Sequence, residues 1–254
     1  MALSPSGRFS KNDYFRQAEE IAAVLSAQVH APKRRILEVG CGRGFNLHYL
    51  AQAFPQDTFI GVDVSDRNLF AAKKQLQGLS NVSFAADDFH ELASIEPNSI
   101  DVLFAVESLC HASNWDKAFK AMSRVVVPGG LLIVFDGFRD NSTDYSEELR
   151  STLRYAEQAM AVQSFKSVEY VVSVAKVNGF RVENAEDRSG EVMPNLIRLS
   201  DLAKGFFKIG PLSKMVMALV PHGLVANAIA GLLMAVTVKC GAHRYMKLSL
   251  RKST

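Results

Sequence analysis

The sequence predicts an α/β fold, a Rossmann-like sheet of seven mostly parallel strands with helices on both faces. From Arg35 to Asp136, short apolar runs of strand length alternate with stretches whose apolar residues recur at helical period. This alternation is typical of a parallel sheet covered on both faces. The chain has 254 residues and is 48% hydrophobic, so it can bury a full core around such a sheet.

The predicted strands are five early runs and two late ones. The early runs are ILEVG, TFIGVDV, VSFAA, IDVLFAV and LLIVFD, at residues 36–40, 58–64, 82–86, 100–106 and 131–136. The late runs are FRVENAE at 180–186 and HRYMKLSLRK at 243–252. Helices are predicted for 13–29, 45–54, 67–79, 114–126 and 167–180. Residues 137–166 show neither an apolar run of strand length nor a helical period of apolar residues. Sheets of this kind bind ligands at the carboxyl ends of their strands.

Charge and cysteine content exclude several classes of function. The formal net charge of +3, from 29 basic and 26 acidic residues, is too balanced for a nucleic-acid binder, so no DNA partner is expected. The three cysteines form no CxxC pair, which indicates reduced thiols in a cytosolic protein. The N-terminus lacks the apolar segment of a signal peptide. A cytoplasmic location is therefore expected.

A glycine-rich turn follows the first strand. LEVGCGRG places Gly40, Gly42 and Gly44 before a helix, where glycine lets the backbone turn sharply and approach a ligand. The spacing is GxGxG and not the GxGxxG of dinucleotide binders. Glu38 precedes the turn, and its carboxylate would serve a pyrophosphate poorly but a cationic amino group well. The turn is therefore predicted to hold a ligand with an ammonium group.

Acidic residues end the next two strands. Asp63 stands where an acid accepts ribose hydroxyls, and Asp87, with Asp88, follows the third strand, where it could receive an adenine amino group. Taken alone, the glycines are also explained by a tight turn, and each acidic residue is also explained by a helix cap. Their common order at strand ends favours a cofactor site.

These residues, followed by PGG at 128–130, resemble the class I S-adenosylmethionine-dependent methyltransferases, closely over about residues 35–136. The resemblance implies S-adenosyl-L-methionine as methyl donor and S-adenosyl-L-homocysteine as product. It implies that the glycine turn lines the methionine part, Asp63 holds the ribose and Asp87 binds the adenine amino group. Backbone at Ala105 and Val106 would meet the methionine amino group. The strand 243–252 would insert antiparallel beside the fifth.

Candidate catalytic residues follow the fourth and fifth strands. AVESLCHASNW places Glu107 and His111 four residues apart, and Asp136 ends the fifth strand. An imidazole titrates near pH 6.5, so His111 could take a hydroxyl proton, with Asp136 or Glu107 orienting it. A histidine in a loop is also often a cap or a packing residue, and that alternative stays open. No metal is expected.

The segment ESLCH resembles the small-molecule branch of the family, which includes sterol, tocopherol, sugar and polyketide methyltransferases. Methyltransferases of amide or nucleobase nitrogens commonly carry a proline-containing motif there, and this chain has Ala105-Val106-Glu107-Ser108. The resemblance therefore argues against DNA or glutamine as acceptor. A protein or RNA acceptor stays open.

Residues 215–238, MVMALVPHGLVANAIAGLLMAVTV, carry no Asp, Glu, Lys or Arg and are long enough to span a bilayer. Pro221-His222-Gly223 interrupts the segment, Asn227 adds a polar group, and the following strand must return to the sheet. Two helical pieces, 211–220 and 223–238, are predicted instead. They would roof an apolar acceptor pocket or touch lipid through 211–239; a homodimer interface is the alternative.

Three parts of the chain are predicted: a helical lid at 1–34, a cofactor-binding core at 35–190 plus 242–254, and an apolar helical cap at 191–241. Tyr14, His222 and Asn227 are candidate pocket residues. The predicted function is methyl transfer to oxygen or carbon of a hydrophobic small molecule or lipid-like acceptor, such as an isoprenoid, sterol or polyketide. The alternative is a non-catalytic cofactor-binding interaction protein.

Overall fold

Seven strands form one sheet in the order β3-β2-β1-β4-β5-β7-β6. A computed structural model describes residues 1–27, 33–141, 144–208 and 222–254. The strands are β1 Arg35–Val39, β2 Thr58–Asp63, β3 Val82–Ala86, β4 Ile100–Val106, β5 Val126–Arg139, β6 Phe180–Asp187 and β7 His243–Lys252. The predicted fold class is confirmed, and the last strand lies beside the fifth as expected.

The helices connect and cover the strands. They are α1 Arg16–Ala27, α2 Phe45–Ala53, α3 Asp66–Gln75, α4 Trp115–Val125, α5 Glu147–Ala159, α6 Val168–Val177, α7 Ser189–Phe207 and α8 His222–Lys239. Short 3₁₀ helices span Lys11–Phe15 and Leu109–His111. The predicted helix at 223–238 corresponds to α8, whereas the predicted helix at 211–220 lies outside the described residues.

Parallel pairing brings the carboxyl ends of the first strands to one edge of the sheet. β1 pairs in parallel with β2 and β4, β2 with β3, and β4 with β5. The register sets Val39 opposite Ala105 and Asp63 opposite Ala86. These strands are apolar because both of their faces are buried, and Val102 to Ala105 of β4 are fully covered. The loops after β1, β2, β3 and β4 therefore converge.

Two differences from the predicted elements concern the middle of the chain. β5 runs from Val126 to Arg139, longer at both ends than the predicted 131–136, and α5 forms inside 137–166, where no element was predicted. The hydroxyl of Ser146 caps α5 by accepting from the backbone N–H of Leu149 at 3.4 Å. Ser146 before two glutamates is an N-cap signal in the sequence itself.

The chain divides into two compact units. The first, here called the helical unit, comprises Met1–Tyr14, Gly137–Val168 and Asp187–Tyr245. The second, here called the core unit, comprises Phe15–Asp136, Glu169–Glu186 and Met246–Thr254. These divisions fall at other positions than the predicted lid, core and cap, which stay predictions about function.

Helices α7 and α8 of the helical unit pack against each other in antiparallel fashion. Residues late in α7 share a cleft with the first turns of α8, and residues early in α7 share another with its last turns. Gly231 marks a close approach, since a Cβ there would lie 3.3 Å from Cβ of Leu199. Within the described ranges, no helix is both long and apolar enough to span a membrane.

A buried polar cluster ties together α5, α8 and the start of β7 in the helical unit. Glu157, which is 2% exposed, accepts from the backbone N–H of Phe165 at 3.1 Å. Its Oε1 lies 3.4 Å from Nε2 of the fully buried His243 and 3.7 Å from the guanidinium of Arg139. Nδ1 of His243 lies 3.0 Å from the hydroxyl of Thr237. One carboxylate thus serves partners on three elements.

We expect Glu157→Gln to lower the free energy of unfolding by about 3 kcal/mol, because removing one charge of a buried network leaves its partners uncompensated. The matched control is Glu147→Gln, an exposed position at the start of the same helix. Denaturant unfolding, with hydrogen exchange of α5 and α8 amides, measures the effect. Equal stability of the two variants would contradict the structural role of this cluster.

Candidate active site

The loop between β1 and α2 has the backbone conformation that glycine permits. Gly40, Gly42 and Gly44 have φ of 65°, 54° and 75°, in the left-handed region. A Cβ at Gly40 would lie 2.4 Å from Cβ of Ser108, so the loop after β4 approaches the turn closely. A Cβ at Gly42 would meet no atom within 4 Å, so Gly42 presents its backbone to open space. The predicted glycine-rich turn is confirmed.

Asp63 at the end of β2 fixes this turn. Its Oδ2 accepts from the backbone N–H of Gly42 at 2.8 Å, and its Oδ1 accepts from the backbone N–H of Ser65 at 2.8 Å. The side chain of Asn68 is 3.5 Å from Oδ1. Each oxygen retains acceptor capacity beside a backbone bond, because a carboxylate has about four acceptor sites. Asp63 is thus held rigidly with acceptor capacity to spare.

Glu38 carries a buried carboxyl oxygen that lacks a partner. Its Oε1 accepts from Nδ2 of Asn46 at 2.7 Å, whereas Oε2 has no hydrogen-bond partner among the described residues. Burial raises the pKa of Glu38 to about 8, against the hydrogen bond from Asn46 and with a contribution from the charge of Asp63. A bound ammonium group would supply the missing partner and favour the ionised carboxylate. The site fits the amino group of the cofactor that the resemblance implies.

We expect the stability of the ligand-free protein to fall as pH rises from 4.5 to about 8. The folded state keeps the proton of Glu38 up to about pH 8, whereas the unfolded state loses it near pH 4.5. The contribution of Glu38 to the free energy of unfolding is therefore complete below pH 4.5 and is lost as the pH rises through about 8. Glu38→Gln removes this part of the pH dependence, and exposed Glu96→Gln leaves it unchanged. Denaturant unfolding at both ends of this range checks it; parallel wild-type and Glu38→Gln profiles would refute the assignment.

The loop after β3 is organised by its two aspartates. Asp87 accepts from the backbone N–H groups of Asp88 at 2.8 Å and Ser94 at 2.8 Å, and from the hydroxyl of Ser94 at 2.5 Å. Asp88 lies 2.6 Å from Nδ1 of His90, whose Nε2 accepts from the backbone N–H of Asn114 at 3.3 Å. His90 thus links this loop to the one that carries His111. Sequence reasoning did not identify His90, because its contact with Asn114 joins residues that are 24 positions apart in the sequence.

The loop after β4 presents the candidate catalytic residues. Glu107 has φ of 53°, a conformation that costs a non-glycine residue about 1–3 kcal/mol, and its backbone N–H donates to the carbonyl of Phe135. Ser108 anchors the loop by donating to the carbonyl of Val39 at 2.9 Å. His111 ends the 3₁₀ helix and is exposed. The strained backbone therefore lies next to the glycine turn.

Asp136 of β5 supports this loop through a hydrogen bond to its backbone. Its side chain is 1% exposed, and its Oδ2 accepts from the backbone N–H of Cys110 at 2.9 Å. Burial, followed by the charge of Asp136, raises the pKa of the Cys110 thiol, and burial also raises the pKa of the Cys41 thiol. Both thiols stay protonated and are poor nucleophiles. Asp136 thus supports the turn that ends at His111, and its predicted catalytic role stays a prediction.

One cleft of the core unit, of about 360 Å³, brings together six of the predicted site residues. Its size is in the range of small-molecule sites. The lining residues that were predicted are Gly40, Gly42, Asp63, Asp87, Glu107 and His111. The lining residues that sequence reasoning missed are Val64, Ser65, Asn68, Phe89 and Ser108. Val64 is 72% exposed, a conspicuous apolar surface beside Asp63.

The other predicted site residues, including Glu38 and Asp136, do not line this cleft. Gly44 begins α2, Asp88 pairs with His90, and Ala105 and Val106 form the end of β4. The predicted pocket residues Tyr14 and Asn227 belong to the helical unit. The hydroxyl of Tyr14 lies 3.5 Å from Oδ1 of Asn195, and Asn227 lines an apolar cleft of about 280 Å³. The side chain of His222 lies outside the described residues.

The fold is a doubly wound sheet, and its cleft combines a glycine turn with acids at successive strand ends. This combination defines a class of cofactor-binding proteins. Residues 37–134 match the family described as "Methyltransferase domain". Over these residues the chain is similar to a methyltransferase domain, and the glycine turn with Glu38 and Asp63 fits the S-adenosylmethionine that the resemblance implies. Within the described parts of the chain, no group of three His, Cys, Asp or Glu residues could hold a metal ion.

Particular relatives agree with this assignment. Trans-aconitate 2-methyltransferase of Acidovorax sp. (strain JS42) is 32% identical over 151 residues, 58% of this chain and 55% of the relative. Sterol 24-C-methyltransferase of Yarrowia lipolytica is 25% identical over 193 residues, 72% of this chain and 49% of the relative. The chain thus spans about half the length of these curated relatives.

A solved structure supports the fold over nearly the whole chain. A putative sarcosine dimethylglycine methyltransferase from Galdieria sulphuraria superimposes with a TM-score of 0.78 at 16% identity. The match covers 96% of this chain and 88% of the other. At this identity the similarity concerns the fold alone.

Proposed function

We propose that the protein transfers a methyl group from S-adenosylmethionine to oxygen or carbon of a hydrophobic small molecule. The observation that carries the proposal is the cleft in the core unit where Gly42 and Asp63 lie with Glu107 and His111. Methyl transfer is an in-line displacement, so a catalyst must mainly align two reactants and exclude water. A cleft that combines a cofactor wall with a polar acceptor wall meets this need.

The cofactor wall is proposed to act through hydrogen bonds and charge. The carboxylate of Glu38 and the carbonyl groups of Ala105 and Val106 would hold the ammonium group, and Asp63 the ribose hydroxyls. Asp87, with Asp88, would receive the adenine amino group, although the loop already uses both oxygens of Asp87. When bound, S-adenosylmethionine supplies an electrophilic methyl group and leaves as S-adenosylhomocysteine.

His111 is proposed to move the acceptor proton. For a hydroxyl acceptor, the oxygen–methyl bond forms as the sulfur–methyl bond breaks, and His111 takes the hydroxyl proton. Glu107, held in a strained backbone in the same cleft, would orient the imidazole or the acceptor. For an alkene acceptor, Glu107 and His111 would stabilise the cation and remove the later proton, while Asp136 positions their loop.

A hydrophobic acceptor is favoured by the composition of α8 and by one of the two named relatives. α8 has no acidic residue and no charge before its last residue, Lys239, and it lines an apolar cleft with α7 through Asn227. One relative is named for methylation of a sterol, a hydrophobic acceptor, and another for methylation of trans-aconitate, a polar one.

The predicted cap at 191–241 and lid at 1–34, with Tyr14 and His222, are proposed to serve acceptor binding. A cytoplasmic protein with peripheral membrane contact through 211–239, or a homodimer, is part of the same proposal.

Transfer of labelled methyl to a cell extract tests the proposal. Purified protein is incubated with labelled S-adenosylmethionine and extract, which is then separated into organic-soluble, small polar, protein and RNA fractions. We expect label in the organic-soluble fraction. Label confined to protein or RNA would contradict a small-molecule acceptor, label in the polar fraction would contradict a hydrophobic one, and tight cofactor binding without transfer would indicate a non-catalytic protein.

A further inference from the structure

The helical unit contains a groove larger than the cleft of the core unit. It has a volume of about 750 Å³ and lies between α7 and α8. Its walls include Met193 and Ile197 of α7 and Leu232 and Val236 of α8. Ile197 is 50% exposed and Val236 is 54% exposed. Leaving such side chains in water is unfavourable, so the groove favours an apolar occupant.

The charged residues of the groove are all basic. Lys204 and Lys239 line it, and none of the lining residues in the described part of the chain is acidic. Lys204 pairs with Asp201 at 3.2 Å, but both side chains are more than half exposed, so this pair is weak. Lys239 has no acidic partner within the parts of the chain that the structure describes. The ammonium group of Lys239 is therefore the stronger anion site.

The two lysines lie toward opposite ends of the groove. Met193 and Lys204 are eleven residues apart on α7, which corresponds to about 16 Å of helix. Because the helices are antiparallel, Lys239 of α8 lies toward the Met193 end. The groove therefore offers one anion site and a long apolar wall leading away from it. A concave groove of this form fits a single chain better than a flat membrane surface, which would favour a protruding apolar face.

We propose that the α7–α8 groove binds a single-chain anionic amphiphile, a long-chain carboxylate whose head pairs with Lys239 and whose chain lies along Ile197 and Val236. The proposal rests on the groove itself and not on the proposed methyl-transfer function. It assigns a second ligand class to the protein, held entirely within the helical unit.

Equilibrium dialysis of the full chain with labelled dodecanoate below its micelle concentration tests the site. We expect saturable binding of one molecule per chain, weakened about fourfold for each methylene removed in decanoate and octanoate. Lys239→Gln should weaken dodecanoate binding about tenfold and leave dodecanol binding unchanged. Val236→Asp, which sets a carboxylate against the ligand, should abolish dodecanoate binding.

Matched controls exist on α6 of the core unit. Lys176→Gln and Val177→Asp change an exposed lysine and an 82% exposed valine near a helix end, and should bind dodecanoate as the wild type does. Thermal unfolding confirms that every variant is folded. Equal affinity of Lys239→Gln and wild type would overturn the proposal. Binding only to phospholipid vesicles, or a concentration-dependent dimer broken by Val236→Asp without dodecanoate binding, would assign the groove to a membrane or a second copy and overturn it as well.

Discussion

His111→Gln is expected to lower kcat for a hydroxyl acceptor about 100-fold while leaving the affinity for S-adenosylmethionine unchanged. General-base catalysis by a positioned side chain contributes about 10²–10⁴-fold. Glutamine approximates the shape of histidine but cannot take a proton. His111 is exposed in the cleft at the end of a 3₁₀ helix whose start is anchored by Ser108 and Asp136, so the substitution leaves the loop in place. Single-turnover transfer of labelled methyl measures the effect.

The control is His48→Gln on α2, a histidine outside the cleft. It should keep the wild-type rate. A His111→Gln enzyme with full kcat would remove the proton-transfer role. In that case, a pH-independent rate would favour carbon methylation or an acceptor that reaches the cleft already ionised.

Asp63→Asn is expected to weaken S-adenosylmethionine binding about 100-fold. Two effects act together. Asparagine offers one acceptor oxygen, whereas Asp63 accepts from the backbone N–H groups of both Gly42 and Ser65, so the turn loses one of its supports. The proposed bonds to the ribose hydroxyls would also lose their charge, and each charge-assisted bond contributes about 1.5–3 kcal/mol.

The control is Asp66→Asn, three residues along the chain, exposed in the first turn of α3. Isothermal titration of both variants and the wild type with S-adenosylhomocysteine compares the affinities. Unchanged affinity in Asp63→Asn would show that the cofactor lies elsewhere than beside the end of β2.

The core strands and the cofactor side of the cleft were predictable because their signals are local. Strands buried on both faces are continuous apolar runs, and a parallel sheet brings their carboxyl ends together by topology alone. Glu38, the glycines and Asp63 each follow or end such a run. Their residue types therefore predict the place of this wall, and its binding chemistry stays a prediction.

The acceptor side was less predictable because its order comes from distant contacts. Ser108 reaches the carbonyl of Val39, and His90 reaches the loop at Asn114; neither pair is close in sequence. Asp136 was predicted as a catalytic candidate, but its burial under Cys110 shows a supporting place that no sequence pattern reveals. α5 lacked a predicted element although it carries the cap signal of Ser146, whereas α7 falls largely within the helical cap predicted at 191–241.

The central claim is that one cleft binds the cofactor on one wall and handles the acceptor proton on the other. Measuring S-adenosylhomocysteine affinity and single-turnover rate at saturating cofactor, in both Asp63→Asn and His111→Gln, tests it most directly. We expect a crossed result: affinity falls in Asp63→Asn, the rate falls in His111→Gln, and each variant keeps the other property near the wild type. Loss of both properties in both variants, or of neither, would contradict it.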